Sequence, residues 1–332
     1  MRNRLEKIVL IGALLTFLVP WLVPYHSYIF PFIVPKVVWF RTIAIAMIAT
    51  YGLLLAVNYQ RYKIRLTPVT IAVLAFLASL LLSTFTSVDW YRSLWDGHER
   101  MLGVFTLVHY VAYYLVLTHT GFTKAQWQWL LRGFMGAAVV VMLVGVGQKI
   151  NPSLLLNNGS VRVAGTLGNS IYLGGYGLFL IFLSGYAWLQ EKNRVWRLCA
   201  LVSGLLGVAG LLFSGTRGTL VGLAVGLAVS ALTLAITAKP GSQVRKWVGL
   251  ASLAGMVVVA LLFTFRATPF VRNIPAVGVL VNTNLGSATA GTRIMSWQIA
   301  IESWQEKPLF GWGVNNFFYA FNEHYRPEFL EH

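Results

Sequence analysis

Nine predominantly apolar runs of 17 to 21 residues divide this sequence, at roughly 8–24, 38–57, 68–87, 103–119, 129–147, 170–190, 198–214, 218–238 and 247–265. A helix of that length crosses a hydrocarbon core of about 30 Å. The runs therefore predict an all-α polytopic membrane protein with about nine transmembrane helices. Composition agrees: 57% of residues are hydrophobic and 11% charged, too apolar a balance for a soluble globule. The net charge of +16 invites a nucleic-acid reading, but the basic residues are dispersed among short loops instead of gathered on one soluble face. No nucleic-acid partner is expected. A single cysteine, Cys199, excludes an internal disulfide and a cysteine-based metal site.

The first run follows Arg2, Arg4 and Lys7, as a signal peptide would. Its exit through Val23, Pro24, Tyr25 and His26 offers no small-residue cleavage site, so it reads as a retained first helix. Orientation follows from the loops. Arg61, Lys63 and Arg65, then Lys124 and Arg132, then Lys192, Arg194 and Arg197, then Lys239, Arg245 and Lys246 fall in alternate connections, in phase with the basic N-terminus. By the positive-inside rule these connections are cytoplasmic. The opposite face then receives the loops near 25–37, 88–102 and 148–169, the turn at Arg217 and the segment after Arg266. Two regions are expected: a transmembrane helical domain at 1–265 and an extracytoplasmic loop segment at 266–332.

The polar features of that outer face are candidates for chemistry. Arg217, in Ser214-Gly215-Thr216-Arg217-Gly218, lies at a tight junction between two spans, where an arginine is costly unless it meets water, a cavity or an anion. Snorkelling into headgroups is the plain alternative. Gly218, Gly222 and Gly226 form a smooth stripe for close approach by a neighbour. Arg162 precedes Gly165-Thr166-Leu167-Gly168-Asn169, a glycine-rich start to an apolar helix whose backbone N–H groups are expected to be free for phosphate. The alternative is a flexible turn. Thr292-Arg293 begins a stretch with Ile294, Trp297, Ile301 and Trp304 at helical spacing and Pro308 just beyond, so Thr292 is expected to cap a surface helix with Arg293 at its N-terminus. Residues 309–317, containing Gly311-Trp312-Gly313, read as a compact turn with Trp312 at the interface. The loop carrying Asp89, Asp96, His98 and Glu99 has carboxylates and a histidine, but no recognised metal spacing and two interleaved arginines. It reads as a self-paired interfacial loop. His109 and His119 read as packing residues.

Four of these stretches occur in one order: residues 162–169, 214–218, 292–297 and 307–317. Together they resemble the O-antigen ligase and Wzy-type polymerase superfamily, and residues 92–103 resemble members that carry a tetratricopeptide region. The resemblance implies a GT-C-like glycosyltransferase of the bacterial inner membrane, active on its extracytoplasmic face. It would transfer a glycan from a polyprenyl diphosphate carrier to a lipid, polysaccharide or protein acceptor, with no cofactor. Arg217, Arg293 and Arg162 would hold the diphosphate, supported by Asn169, Thr216 and Gly218. The family's catalytic histidine lies in an Asp-x-x-His-Asn segment after the Gly-Trp-Gly turn; neither His324 nor His332 has that setting, so it is expected beyond His332 and the outer loop is expected to be incomplete. A transporter or flippase of a polyprenyl-linked or small anionic solute such as bicarbonate is the second reading. Transporters show related halves and helices broken near the midplane, whereas the polar features here gather at one face.

Overall fold

The computed structural model describes residues 2–24, 30–239, 241–274, 277–282 and 288–331. Among these the chain is all helix and turn, with no strand. Each of the nine apolar runs becomes a helix. Seven are long and apolar enough to cross a membrane: Val34–Val57, Pro68–Phe85, Lys124–Ile150, Ser170–Gln190, Arg194–Phe213, Arg217–Thr237 and Arg245–Thr264 within the helix Gln243–Thr264.

Among the described residues seven of the nine expected spans thus meet that length. Val104–His119 has 16 residues and Arg2–Thr16 has 15. At 1.5 Å per residue both fall short of the hydrocarbon thickness. The first helix begins earlier than the apolar run and also stops earlier. Pro20 has no N–H to offer the Thr16 carbonyl, and a 3₁₀ turn at Val19–Trp21 follows instead. Thr16 sits at the break, its hydroxyl bonded to the Ala13 carbonyl and to the Tyr113 hydroxyl at 2.8 Å.

Other boundaries are set by side chains that take up the otherwise unpaired first-turn N–H groups. Thr67 accepts from Thr70 N at 3.2 Å ahead of Pro68, Asn193 from Val195 N at 2.8 Å, and Ser242 from Arg245 N at 3.3 Å.

The chain forms two compact units, 1–134 with 285–332, and 135–284. Packing thus groups the tail with the N-terminal helices, a division different from one drawn by membrane contact. In the first unit Val9, Ala13, Met47, Tyr51 and Leu54 form a core between Arg2–Thr16 and Val34–Val57. The helices approach closely at Gly12, where a Cβ would stand 2.6 Å from Met47 Cγ.

In the second unit Ser170–Gln190 and Arg194–Phe213 form a helical hairpin. A Cβ on Gly177 would lie 2.8 Å from the Gly207 carbonyl oxygen, and one on Gly207 would lie 3.0 Å from the Gly177 oxygen. Small residues bring the two backbones together, the usual device where lipid offers helices no hydrophobic drive to associate. The glycine stripe of Arg217–Thr237 works differently. Gly222 and Gly226 receive the side chains of Leu178 and Phe182, and Gly218 faces open space. The outer faces of the last two long helices are bare: Leu232 is 61% exposed and Met256 64%. Faces so apolar and so large are stable only against hydrocarbon.

Candidate functional site

In the second unit the start of the site is a buried amide. Gln148, near the end of Lys124–Ile150, is fully buried; its Oε1 accepts from Ala164 N at 3.2 Å and Gly165 N at 2.8 Å, while Nε2 donates to the Asn157 carbonyl at 2.6 Å. One side chain thereby fixes both ends of the loop 157–165. Val163 N then donates to the Phe213 carbonyl at 3.0 Å, which ties this loop to the turn before Arg217.

Arg162 completes the junction. Its Nε donates to the Ser214 carbonyl at 3.0 Å and its Nη2 to Thr216 Oγ1 at 2.9 Å. Both acceptors are uncharged, so these contacts orient the guanidinium without neutralising it. Gly215 adopts φ +61°, and a Cβ there would stand 3.1 Å from Arg162 Cγ. The turn thus needs glycine both for its left-handed conformation and for room. Thr216 is the N-cap residue of Arg217–Thr237, but its hydroxyl is engaged by Arg162 instead of capping the helix. Arg217 is the first helical residue and is exposed. Nothing lies within 4 Å of a Cβ built on Gly218, so the first turn beside Arg217 is open on that side.

The glycine-rich start at 165–169 is not the anion cradle expected of it. The amides of Ala164 and Gly165 are bonded to Gln148, Asn169 accepts from Ile171 N at 2.9 Å as an N-cap, and the Asn169 carbonyl takes Tyr172 N and Leu173 N. These groups build the loop, and the amides they use are not offered to a ligand.

The first unit carries a second polar assembly, which the sequence reading kept as two separate features. The turn at 311–317 docks onto the loop 83–102. Asn316, fully buried, points Nδ2 at the carbonyls of Asp89 and Trp312 and at Ser93 Oγ, each at 3.1 Å. Ser93 Oγ donates to the Val314 carbonyl at 2.9 Å, Val88 N to the Trp312 carbonyl at 3.1 Å, and Ser83 Oγ to the Phe310 carbonyl at 2.7 Å. Asn315, at φ +60°, donates to the Leu102 carbonyl. Gly313 has φ +106°, and any Cβ there would collide with Ser87.

The acids of this loop are structural. Asp89 accepts from Arg92 N at 2.9 Å and from the Tyr319 hydroxyl at 3.1 Å. Those bonds, the Arg92 amide first, hold its carboxyl below the usual range. Asp96 accepts from Leu102 N at 3.0 Å. Among the described residues no three His, Cys, Asp or Glu side chains converge as a metal site would require. The loop therefore pairs with itself, as its acids suggest, and also with the tail, a partnership that no local spacing reveals.

Arg293 belongs to the first unit, on Ala288–Glu306, and is exposed. That helix starts four residues before Thr292, so Thr292 is an internal residue and Arg293 stands in the second turn, not at the N-terminus. Trp312 is held by the same helix through Nε1 to the Ser303 carbonyl at 2.8 Å, with Lys307 Nζ 3.9 Å from its ring centre. His324 also packs here, edge-on to Trp312, with Nε2 3.2 Å from the Glu306 carboxylate.

Residues 202–332 match the family model described as O-antigen ligase. Over that stretch the chain is similar to the O-antigen ligase family. No curated protein and no solved structure matches it. The matched stretch contains both Arg217 and the turn at 311–317, yet each is held by residues that precede the match. Arg162 and Gln148 build the surroundings of Arg217; Asp89 and Ser93 receive Asn316. The polytopic membrane architecture is consistent with the family that this stretch matches.

Proposed function

We propose that this protein is a membrane glycosyltransferase of the O-antigen ligase or polymerase type. It moves a glycan from a polyprenyl diphosphate carrier to a hydroxyl of a lipid, polysaccharide or protein acceptor, at the extracytoplasmic face of the bacterial inner membrane. The bond between the anomeric carbon and the diphosphate oxygen breaks, and its electron pair leaves with the diphosphate. The acceptor oxygen forms the new glycosidic bond as its proton passes to a general base, in the family pattern a histidine C-terminal to the Gly-Trp-Gly turn.

The observation that carries this reading is the fixed guanidinium of Arg162 against the turn that begins the Arg217 helix. A diphosphate gains negative charge as it departs. Arg162 and Arg217 supply positive charge beside a helix start, where the macrodipole favours an anion, and the open side at Gly218 leaves space for it. Arg293, which the family resemblance also implies as a diphosphate contact, lies in the other unit; within this one Thr216 orients Arg162 and Asn169 holds the neighbouring helix start.

The full-length protein in proteoliposomes, given a synthetic polyprenyl diphosphate glycan and an acceptor, is expected to form a new glycosidic product without nucleotide or added divalent metal. Product only with magnesium or manganese contradicts the arginine mechanism. Solute crossing sealed vesicles without covalent product favours the transporter reading.

A further inference from the structure

A cavity of about 490 Å³ lies in the first unit, among the loop at 61–67, the start of Pro68–Phe85 and the end of Val104–His119. Its size falls in the range of about 300–1,000 Å³ common for small-ligand sites. Arg61, Lys63, Arg65 and His119 line it together with four hydroxyl-bearing side chains, Thr118 among them, so three permanent cations, an imidazole and four hydroxyls border one space. One carboxylate stands nearby: Glu6, 3.2 Å from Arg61 Nη2 and accepting from the Tyr62 hydroxyl at 2.5 Å. Lys63 and Arg65 have no carboxylate partner among the described residues. The His119 Nδ1 is 2.9 Å from both the Leu115 carbonyl and Thr118 Oγ1.

A wall with several cations and a single acid is complementary to an anion with several acceptor oxygens. Val69 in the lining is 61% exposed, and Leu66, which precedes Thr67 in the same loop, is 68% exposed. We infer that this cavity binds a phosphate group, the charged head of an anionic phospholipid whose chains run along Leu66 and Val69. A basic pocket at a membrane surface attracts anionic headgroups electrostatically, and the loop belongs to the basic set that the sequence assigns to the cytoplasmic face. The site shares no residue with the Arg162 and Arg217 junction and does not depend on the glycan-transfer reading.

The test titrates the detergent-solubilised full chain with short-chain phosphatidylglycerol, with phosphatidylcholine of the same chain length, and with inorganic phosphate at matched ionic strength, reading the rise in thermal midpoint. Phosphatidylglycerol is expected to raise it and phosphatidylcholine to leave it unchanged. In the double variant Lys63→Gln/Arg65→Gln, which retains the Arg61 pair with Glu6, affinity is expected to fall at least about tenfold. Thr118→Phe fills the cavity with every cation in place and is expected to weaken binding as well, so that a folding defect in the double variant does not decide the outcome. Equal stabilisation by inorganic phosphate retains a phosphate site and assigns it to the free ion. No response to either phosphate compound, or a response unchanged in both variants, overturns the inference.

Discussion

Substituting Asn316 separates two accounts of how the tail is held. Its Nδ2 has two hydrogens for three acceptors, so Asn316→Ala removes about two hydrogen bonds, each contributing about 1 kcal/mol net. Neither backbone acceptor is left alone, because the Trp312 carbonyl keeps Val88 N and the Asp89 carbonyl keeps Ser93 N. The substitution also removes Asn316 Oδ1, a buried oxygen that receives no hydrogen bond, which returns about 1 kcal/mol. The net cost is about 1 kcal/mol. Asn316→Asp has the same shape but aims a carboxylate oxygen at carbonyl oxygens in a buried site, and its cost is about 3 kcal/mol or more. Burial raises the folded-state pKa of that carboxyl above its unfolded value, so the destabilisation grows as pH rises above about 4 and is relieved as pH falls toward it. Hydrogen exchange at the amides of Val88, Ser93 and Asn316 reads the opening of this contact. Protection at neutral pH is expected to fall about fivefold in the alanine variant and more than about 100-fold in the aspartate variant. Equal effects of the two substitutions, or an aspartate effect independent of pH, refute the assignment of the amide nitrogen to the three acceptors.

Arg162→Ala is expected to lower transfer by roughly one to two orders of magnitude, as loss of a charge-assisted contact does; lysine restores only part, since it keeps the charge without the planar fork. Wild-type turnover in both variants at equal membrane abundance removes Arg162 from the site. Gly177→Ala is expected to cost about 1–3 kcal/mol by forcing the hairpin helices apart, whereas Gly185→Ala, with nothing within 4 Å of its Cβ, leaves the thermal midpoint unchanged or higher. A smaller loss at Gly177 than at Gly185 contradicts the packing. In a Cys199→Ser background, Gln243→Cys is expected to resist an impermeant thiol reagent in intact cells and Leu309→Cys, at an 87% exposed position, to react. The reverse pattern inverts the topology and the face on which the proposed chemistry occurs.

The long spans were readable because lipid imposes a simple requirement: continuous apolar length. Length also explains the two shortfalls, since apolar residues around Pro20 extend the run but not the helix. The cap expected at Thr292 is displaced, because the helix already begins at Ala288 and runs through alanine and glycine before it. Arg162 and Arg217 were both selected from sequence, yet their connection through Ser214 and Thr216 depends on the fold of the intervening hairpin. Gln148 gave no signal at all. An amide in an otherwise apolar stretch looks incidental until its two backbone partners, sixteen and seventeen residues away, come into view.

The docking of Asn316 on the loop after Pro68–Phe85 joins backbone 227 residues apart. At synthesis rates of about 5–20 residues per second, Asp89 and Ser93 emerge about 10–45 s before their partner exists. The first unit cannot close until every span between has been made and inserted. A chain stalled or misthreaded at any intervening helix leaves the Asp89 carbonyl and Ser93 Oγ without the Asn316 amide that meets them in the finished protein.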